Sequence, residues 1–147
     1  MNSQTMSQLV LSIFRLNGQI SAWGDRFAAG SALTTARWQV LGAIGSSDTP
    51  PTAPQIGERM GISRQGVQKQ LNLLLEEKLI ETRDNAAHKR SPGYVLSPAG
   101  RQRLDHINGR WQEQAARWAR DYPPEALSAA LAVLEILAHQ LQSPEQP

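Results

Sequence analysis

Polar side chains with long hydrogen-bond donors are concentrated in one stretch in the middle of the chain: Arg64, Gln65, Gln68, Lys69 and Asn72. Arginine suits the edge of guanine, glutamine and asparagine suit adenine, and lysine suits a phosphate. Apolar residues are interleaved with them at helical spacing: Val67, Leu71, Leu74 and Leu75. The stretch therefore predicts a helix with an apolar inner face and an outer face suited to DNA.

A second, shorter helix is expected directly before this one. Ile56 and Met60 lie four residues apart, so they share one face of that helix. Gly61 can adopt the positive φ that ends a helix, and Ser63 is a good N-cap for the next helix. The pattern predicts a helix-turn-helix in which residues 63–77 form the recognition helix, with Ser63 also placed to hold a phosphate. The alternative is an ordinary helical hairpin whose polar face is merely solvated.

A basic β-hairpin is expected to follow the recognition helix. Residues 79–83 and 94–96 have strand character, and a turn-rich loop joins them. Such a wing lies over the DNA backbone and can insert an arginine into the minor groove. Arg90 is the candidate for that insertion, with Lys89 as a phosphate contact. A merely solvated basic loop is the alternative interpretation.

Charge is unevenly distributed along the chain. The formal net charge of the 147 residues is only +2. Between residues 60 and 103, eight basic residues stand against four acidic ones, which gives +4 for this segment and leaves −2 for the remainder. Positive charge thus gathers around the helix-turn-helix and the wing, as a surface facing phosphates requires.

Several other classes of function find little support in the sequence. The chain has no cysteine, which excludes disulfides, thiolate metal sites and cysteine nucleophiles. The three histidines show no metal-ligand spacing, and no phosphate-binding glycine loop or serine elbow is present. We expect no enzyme activity, no cofactor and no metal. Neither an export signal nor a membrane span is evident, so the expected location is the cytoplasm.

The terminal segments are predicted to be helical. In the first helix, apolar residues recur at heptad spacing, and we call them the heptad stripe: Leu9, Ile13, Leu16, Ile20, Trp23 and Phe27. The stripe could pack within its own chain. A second subunit is favoured, because the only comparable helices lie at the opposite end of the sequence. The first seven residues are expected to fray, and residues 143–147 to form a disordered tail.

The remaining signals complete a mainly α fold. Thr34 is a suitable cap for the second helix, and Ser97 with Pro98 for the fifth, while Pro123 and Pro124 separate the fifth helix from the last. The expected order is helix, helix, helix-turn-helix, wing, helix, helix. We assign residues 1–30 and 100–147 to a helical dimerisation lobe, and residues 31–99 to a winged helix-turn-helix lobe that binds DNA.

Three stretches of the sequence resemble the MarR-type (multiple antibiotic resistance regulator) family of winged-helix regulators: LTTARWQVL, IGERMGISRQGVQKQLNLLLEEKLI and RDNAAHKRSPGYVLSPAG. In the last of these, seven residues match the family's wing pattern: Asn85, Lys89, Arg90, Ser91, Leu96, Ser97 and Gly100. Ala86 stands where the family usually has proline, and His88 where an aspartate commonly steadies the wing arginine. These departures predict a looser wing or a weaker minor-groove contact.

The resemblance implies a homodimeric repressor whose terminal helices interlock and whose two recognition helices bind a pseudo-palindrome. Half-sites would then lie one helical turn apart, about 34–36 Å. It also implies release from DNA by a small aromatic or phenolic anion bound between the lobes. The residues available for such a pocket are Arg15, Trp23, Arg37, Trp38 and Trp111. The alternative for the tryptophans is a place in the core, and for the whole chain a winged helix that contacts only protein.

Overall fold

The computed structural model describes residues 2–87 and 90–142. Its elements follow the predicted order: α1 (Asn2–Ala29), α2 (Thr35–Gly45), α3 (Ala53–Met60), α4 (Arg64–Glu76), β1 (Ile80–Arg83), β2 (Gly93–Leu96), α5 (Pro98–Ala119) and α6 (Pro124–Gln142). The mainly α winged-helix fold is confirmed. The chain divides into two compact units, residues 1–107 and 108–147, with the boundary inside α5.

Helix α1 is longer than the sequence suggested, because it already begins at Asn2. The expectation of a frayed start was wrong for the residues described. Residues 2–17 contain no glycine or proline that would interrupt the helix. The Ser7 hydroxyl also donates a hydrogen bond to the carbonyl of Ser3 at 2.9 Å. Early residues therefore continue the helical turns of the heptad stripe.

Helix α2 is held at its N-terminus from two sides. The Thr34 hydroxyl accepts a hydrogen bond from the backbone N–H of Arg37 at 3.2 Å, which confirms the predicted cap. The neighbouring N–H of Thr35 donates to Asp25 Oδ1 on α1 at 2.9 Å. Two of the N–H groups that a helix leaves without partners are thus satisfied, and the end of α1 is tied to the start of α2.

Helices α3 and α4 form the helix-turn-helix. Thr52 and Gln55 close a capping box at the start of α3, and Gly61 ends it in the left-handed region at φ 66°. Ser63 caps α4 by accepting a hydrogen bond from the N–H of Gly66 at 3.1 Å. The glycine stop and the serine cap therefore act as the sequence predicted, and they fix where the recognition helix begins.

The wing is a two-stranded antiparallel sheet anchored at the start of α5. Its register pairs Ile80 with Leu96 and Arg83 with Gly93. The Ser97 hydroxyl donates to the carbonyl of Lys78 at 2.7 Å and accepts from the N–H of Gly100 at 3.0 Å. One side chain thereby caps α5 and holds it to the chain just ahead of β1.

The core of the first unit lies beneath the recognition helix. Its largest fully buried side chains come from α2, α3, α4, α5 and the segment before β1: Val40, Leu41, Ile56, Val67, Leu71, Leu74, Leu79 and Ile107. Burial of these side chains fixes which face of α4 remains outside. No helix among the described residues is long and apolar enough to cross a membrane.

Candidate nucleic-acid interface

The outer face of α4 presents the polar side chains that the sequence singled out. Arg64, Gln65, Lys69 and Asn72 are exposed, and Gln68 is half-buried. On the opposite face, Val67, Leu71 and Leu74 are fully buried. The helix therefore has a fixed orientation, because rotating it would expose those apolar side chains to water.

Three of these side chains have no intramolecular hydrogen bond or ion pair within residues 2–87 and 90–142. They are Arg64, Gln65 and Lys69. Their donors are available to an external acceptor. Ser63 also lies exposed at the start of α4, where its oxygen is engaged as the cap and its hydroxyl proton can be donated elsewhere.

Gln68 and Asn72 contact each other. The Gln68 side-chain N–H donates to Asn72 Oδ1 at 2.9 Å across one turn of α4. The sequence placed both residues on the face of the helix that is suited to DNA, without pairing them. Their pairing leaves Gln68 one further N–H and its carbonyl oxygen, the pair of groups that reads an adenine edge.

The wing loop carries Arg90 in an exposed position. Ahead of it, Asn85 Oδ1 accepts a hydrogen bond from the N–H of Ala87 at 3.1 Å, which forms a local turn. A further exposed arginine, Arg83, pairs with Glu81 on the same strand at 3.1 Å. The predicted phosphate contact Lys89 and the atypical His88 lie outside the described residues.

An ion-pair cluster at the far end of the recognition helix was not anticipated from the sequence. Glu77, the C-cap of α4, accepts a hydrogen bond from Arg37 of α2. Its other oxygen lies 3.5 Å from Nη1 of Arg103 on α5. The three residues are far apart in the chain, and the only local signal was a carboxylate at a helix C-terminus, where helix electrostatics disfavour it.

Part of the predicted ligand site is assembled in the first unit. Trp23 stacks on Phe27 with ring centroids 4.9 Å apart, and Phe27 lies 5.7 Å from Trp38. All three rings are half-buried. The three rings form one continuous aromatic cluster between α1 and α2. Trp23 and Trp38 each contact Phe27 and therefore lie near each other, as a shared ligand site would require.

The other candidate ligand residues are placed differently. Arg37 is already paired with Glu77, so an anion at that position would share the guanidinium group. Arg15 is exposed on α1, beside a shallow surface depression that it forms with Gln8, Leu11 and Ser12. Trp111 belongs to the second unit, where it meets Trp118 edge to face at 5.7 Å. Within the described part of the chain, no cluster of His, Cys, Asp or Glu could hold a metal ion.

A helix-turn-helix with an exposed, donor-rich second helix and an adjoining two-stranded wing defines the winged-helix class of protein. A family model described as "MarR family" matches residues 33–91, which cover the helix-turn-helix and the wing. The chain is also 39% identical over 127 residues to the uncharacterized protein Rv2011c of Mycobacterium tuberculosis, covering 86% of this chain and 87% of that one. The chain belongs to the MarR family.

Solved structures of the family share this fold. The MarR family transcription regulator SP03579 superposes with a TM-score of 0.79 at 25% identity, covering 95% of this chain and 92% of that one. MosR of M. tuberculosis, solved in complex with DNA, superposes with a TM-score of 0.73 at 20% identity. The match covers 91% of this chain and 98% of MosR. CouR of Rhodococcus jostii RHA1, solved bound to p-coumaroyl-CoA, superposes with a TM-score of 0.78 at 14% identity. The match covers 95% of this chain and 94% of CouR. SP03579 and MosR are transcription regulators, and the MarR family is one of transcription regulators and not of enzymes.

Proposed function

We propose that this protein represses transcription by binding a pseudo-palindromic operator as a homodimer. The observation that carries the proposal is the outer face of α4, where Arg64, Gln65 and Lys69 are exposed and make no bond within the described residues. Long donors held outward by a buried apolar face suit the major groove. A regulator of bacterial genes would act in the cytoplasm, where the DNA is.

Within each half-site the side chains have different roles. Arg64 would read guanine, and Gln65 and Gln68 would face adenine edges, each good bidentate contact giving about 1–3 kcal/mol of discrimination, while Asn72 would lie beside Gln68 on the same face. Lys69 and Ser63 would hold phosphates, as would Lys89 in the wing. Arg90 would enter the adjacent minor groove, where the negative potential attracts an arginine.

The terminal helices support the homodimer. In the isolated chain, Leu16 and Ile20 of the heptad stripe are 55% and 54% exposed. Helix α6 buries none of its residues, although Leu131 and Ile136 are large and apolar. Apolar stripes this extensive are costly to leave in water, and a second subunit would cover them. Residues 1–30 and 100–147 are accordingly proposed as the dimerisation lobe and residues 31–99 as the DNA-binding lobe.

The direct test is fluorescence anisotropy with a labelled duplex from upstream of the protein's own gene, competed by an unlabelled duplex of shuffled sequence. We expect saturable binding of one dimer per duplex and at least a thousandfold preference for the upstream sequence. Binding with no preference, or no binding at all, would contradict the proposal. In the second case a winged helix that contacts only protein becomes the better interpretation.

A matched pair of variants connects the binding to α4. Arg64→Ala should reduce the preference for the upstream sequence by about 30-fold or more, since two guanine contacts are lost, one in each half-site, at about 1–3 kcal/mol each. Arg26→Ala removes the same charge from α1, outside the helix-turn-helix and the wing, and should leave the preference unchanged. An equal effect of the two substitutions would show that bulk charge, and not the face of α4, accounts for the binding.

We further propose that a small aromatic or phenolic anion releases the protein from DNA. The aromatic contact of Trp23, Phe27 and Trp38 supports this proposal, because flat rings stack on such ligands. CouR, which shares the fold, was solved bound to p-coumaroyl-CoA. Arg15 or Arg37 would pair with the anionic group.

Tryptophan fluorescence tests the ligand directly. Titration with a panel of phenolic acids should quench emission at the concentrations that also dissociate the anisotropy complex. Trp38→Phe keeps an aromatic ring at the site and should remove part of the quenching, while dissociation by the ligand persists. A panel of broad chemistry that changes neither signal would count against an aromatic effector.

A further inference from the structure

Three charged residues link the C-terminal end of the recognition helix to two other helices. Glu77 accepts a hydrogen bond from the Arg37 guanidinium through one carboxylate oxygen. Its second oxygen lies 3.5 Å from Arg103 Nη1, and the same Nη1 lies 3.5 Å from the carbonyl of Ala32. We call Glu77, Arg37 and Arg103 the Glu77 bridge. It connects α4 with the first turn of α2 and with α5 inside a single compact unit.

The position of the carboxylate is unfavourable for the helix itself. The C-terminus of a helix carries partial negative charge, so Glu77 is repelled by the helix that it ends. The two arginines outweigh that repulsion locally. The Glu77 and Arg103 side chains are 36% and 34% exposed, and the Arg37 side chain 17%, so solvent weakens the pairs and their contribution to global stability is small. Stability alone does not account for this arrangement.

Geometry gives the bridge a different effect. Leu71 is fully buried near the middle of α4, between the equally buried Val67 and Leu74, and is taken as the centre about which the helix would tilt as a rigid rod. Glu77 lies about 9 Å beyond it along the axis, and Arg64 lies about 10 Å in the other direction. Because the distances from Leu71 to Glu77 and to Arg64 are nearly equal, a tilt of α4 that displaces Glu77 by about 1 Å also displaces Arg64 by about 1 Å. A hydrogen bond to a base needs a donor–acceptor distance of about 2.7–3.2 Å, so a displacement of about 1 Å would break it.

We propose that Glu77 is a positioning residue for sequence recognition. Through Arg37 and Arg103 it sets the tilt of α4, so that Arg64 and Gln65 meet the base edges in the correct geometry. The inference rests on the proposed DNA-binding function. Glu77 would thus act from the C-terminal end of α4, whereas Arg64 and Gln65 read bases at its N-terminal end.

The chain offers a matched control in the adjacent residue. Glu76 is exposed and forms no ion pair within the described residues. Glu76→Gln and Glu77→Gln each remove one negative charge from the same end of α4, so both reduce repulsion from DNA phosphates alike. We expect Glu77→Gln to lower the ratio of specific to non-specific affinity by about 3-fold to 30-fold. Glu76→Gln should leave that ratio unchanged.

Further measurements separate positioning from a general loss of folding. Stoichiometric titration gives the active fraction of each preparation, and the affinity ratio of the active protein is then independent of how much has unfolded. Arg37→Gln should reproduce the effect of Glu77→Gln, and the double variant should lose little more than either single one, because all three break the same bridge.

Two outcomes would overturn the inference while leaving the DNA-binding proposal intact. One is an equal affinity ratio for Glu76→Gln and Glu77→Gln. The other is a Glu77→Gln protein that binds less DNA only because its active fraction is smaller, while its ratio of specific to non-specific affinity equals that of the wild type. Wild-type protein that shows no sequence preference on any upstream DNA would instead contradict the proposed function, and the positioning role with it.

Discussion

At the scale of single residues, the hydrogen bond between Gln68 and Asn72 changes how the recognition helix is interpreted. The Gln68 amide donates to the Asn72 carbonyl oxygen, so the two side chains are not independent readers, because one holds the other in a chosen orientation. Gln68→Ala should cost about 1–3 kcal/mol of discrimination at the base that Gln68 reads. If Asn72 only orients Gln68, Asn72→Ala should cost about twofold, the usual size of such a helical pair.

Binding to a set of duplexes that differ at this one base pair checks the prediction. A loss in Asn72→Ala as large as that in Gln68→Ala would mean that Asn72 reads a base itself. The double variant supplies the control, because an orienting residue has nothing left to orient once Gln68 has been removed.

Lys69 should behave differently from Arg64. A phosphate contact carries no sequence information, so Lys69→Ala should weaken cognate and shuffled duplexes by the same factor. In a homodimer two contacts are lost, and the slope of log affinity against log salt concentration should become shallower by about 1.8. Anisotropy titrations between low and moderate salt measure that slope. A sequence-dependent loss with an unchanged slope would place Lys69 on a base.

At the scale of elements, the wing depends on a close approach between α5 and the segment that enters β1. A Cβ atom at Gly100 would lie 1.9 Å from the carbonyl oxygen of Leu79, a separation that no packing tolerates. Gly100→Ala should therefore displace the wing from α5 and cost about 1–3 kcal/mol in the free energy of unfolding.

Gly109 provides the comparison within the same helix. A Cβ at that position meets nothing within 4 Å among the described residues. Gly109→Ala should leave stability unchanged or raise it by about 0.5–1 kcal/mol, because alanine restricts the unfolded chain and favours the helix. Chemical denaturation of both variants measures the two shifts. Equal shifts of the same sign would contradict the crowded geometry at Gly100.

Elements with local signals were predictable, and those held by distant contacts were not. Gly61 ends α3 and Ser63 caps α4 through atoms within a few residues, so the sequence alone located the helix-turn-helix. By contrast, Asp25 caps α2 from ten residues away in the chain, and Glu77 meets a residue forty positions away. Only the packing of the helices brings such partners together.

At the scale of the whole molecule, the homodimer should depend on the apolar surface of α1. Ile20→Glu would place a charge in the heptad stripe, where the partner subunit is expected to pack. Burying an unpaired carboxylate is costly, so the dimer should dissociate at concentrations where the wild type remains associated. DNA affinity should fall with it, because a single recognition helix reads only one half-site.

The neighbouring Gln19 supplies the control for that substitution. It is exposed, and Gln19→Glu adds the same charge without replacing an apolar stripe residue. Sedimentation equilibrium should show a weakened dimer for Ile20→Glu alone. A monomeric wild type, or equal dissociation of the two variants, would remove the support for dimerisation through the heptad stripe.

The sequence by itself determined the element types, the ends of the recognition helix and the side chains on its outer face. These features follow from helical periodicity and from caps that act over one turn, so no knowledge of the fold is needed. The tertiary structure decided that Arg37 pairs with Glu77, that Trp23 and Trp38 meet through Phe27, and that Gly100 lies against Leu79. Those contacts depend on how buried helices cross, which side-chain volume and backbone approach fix in three dimensions.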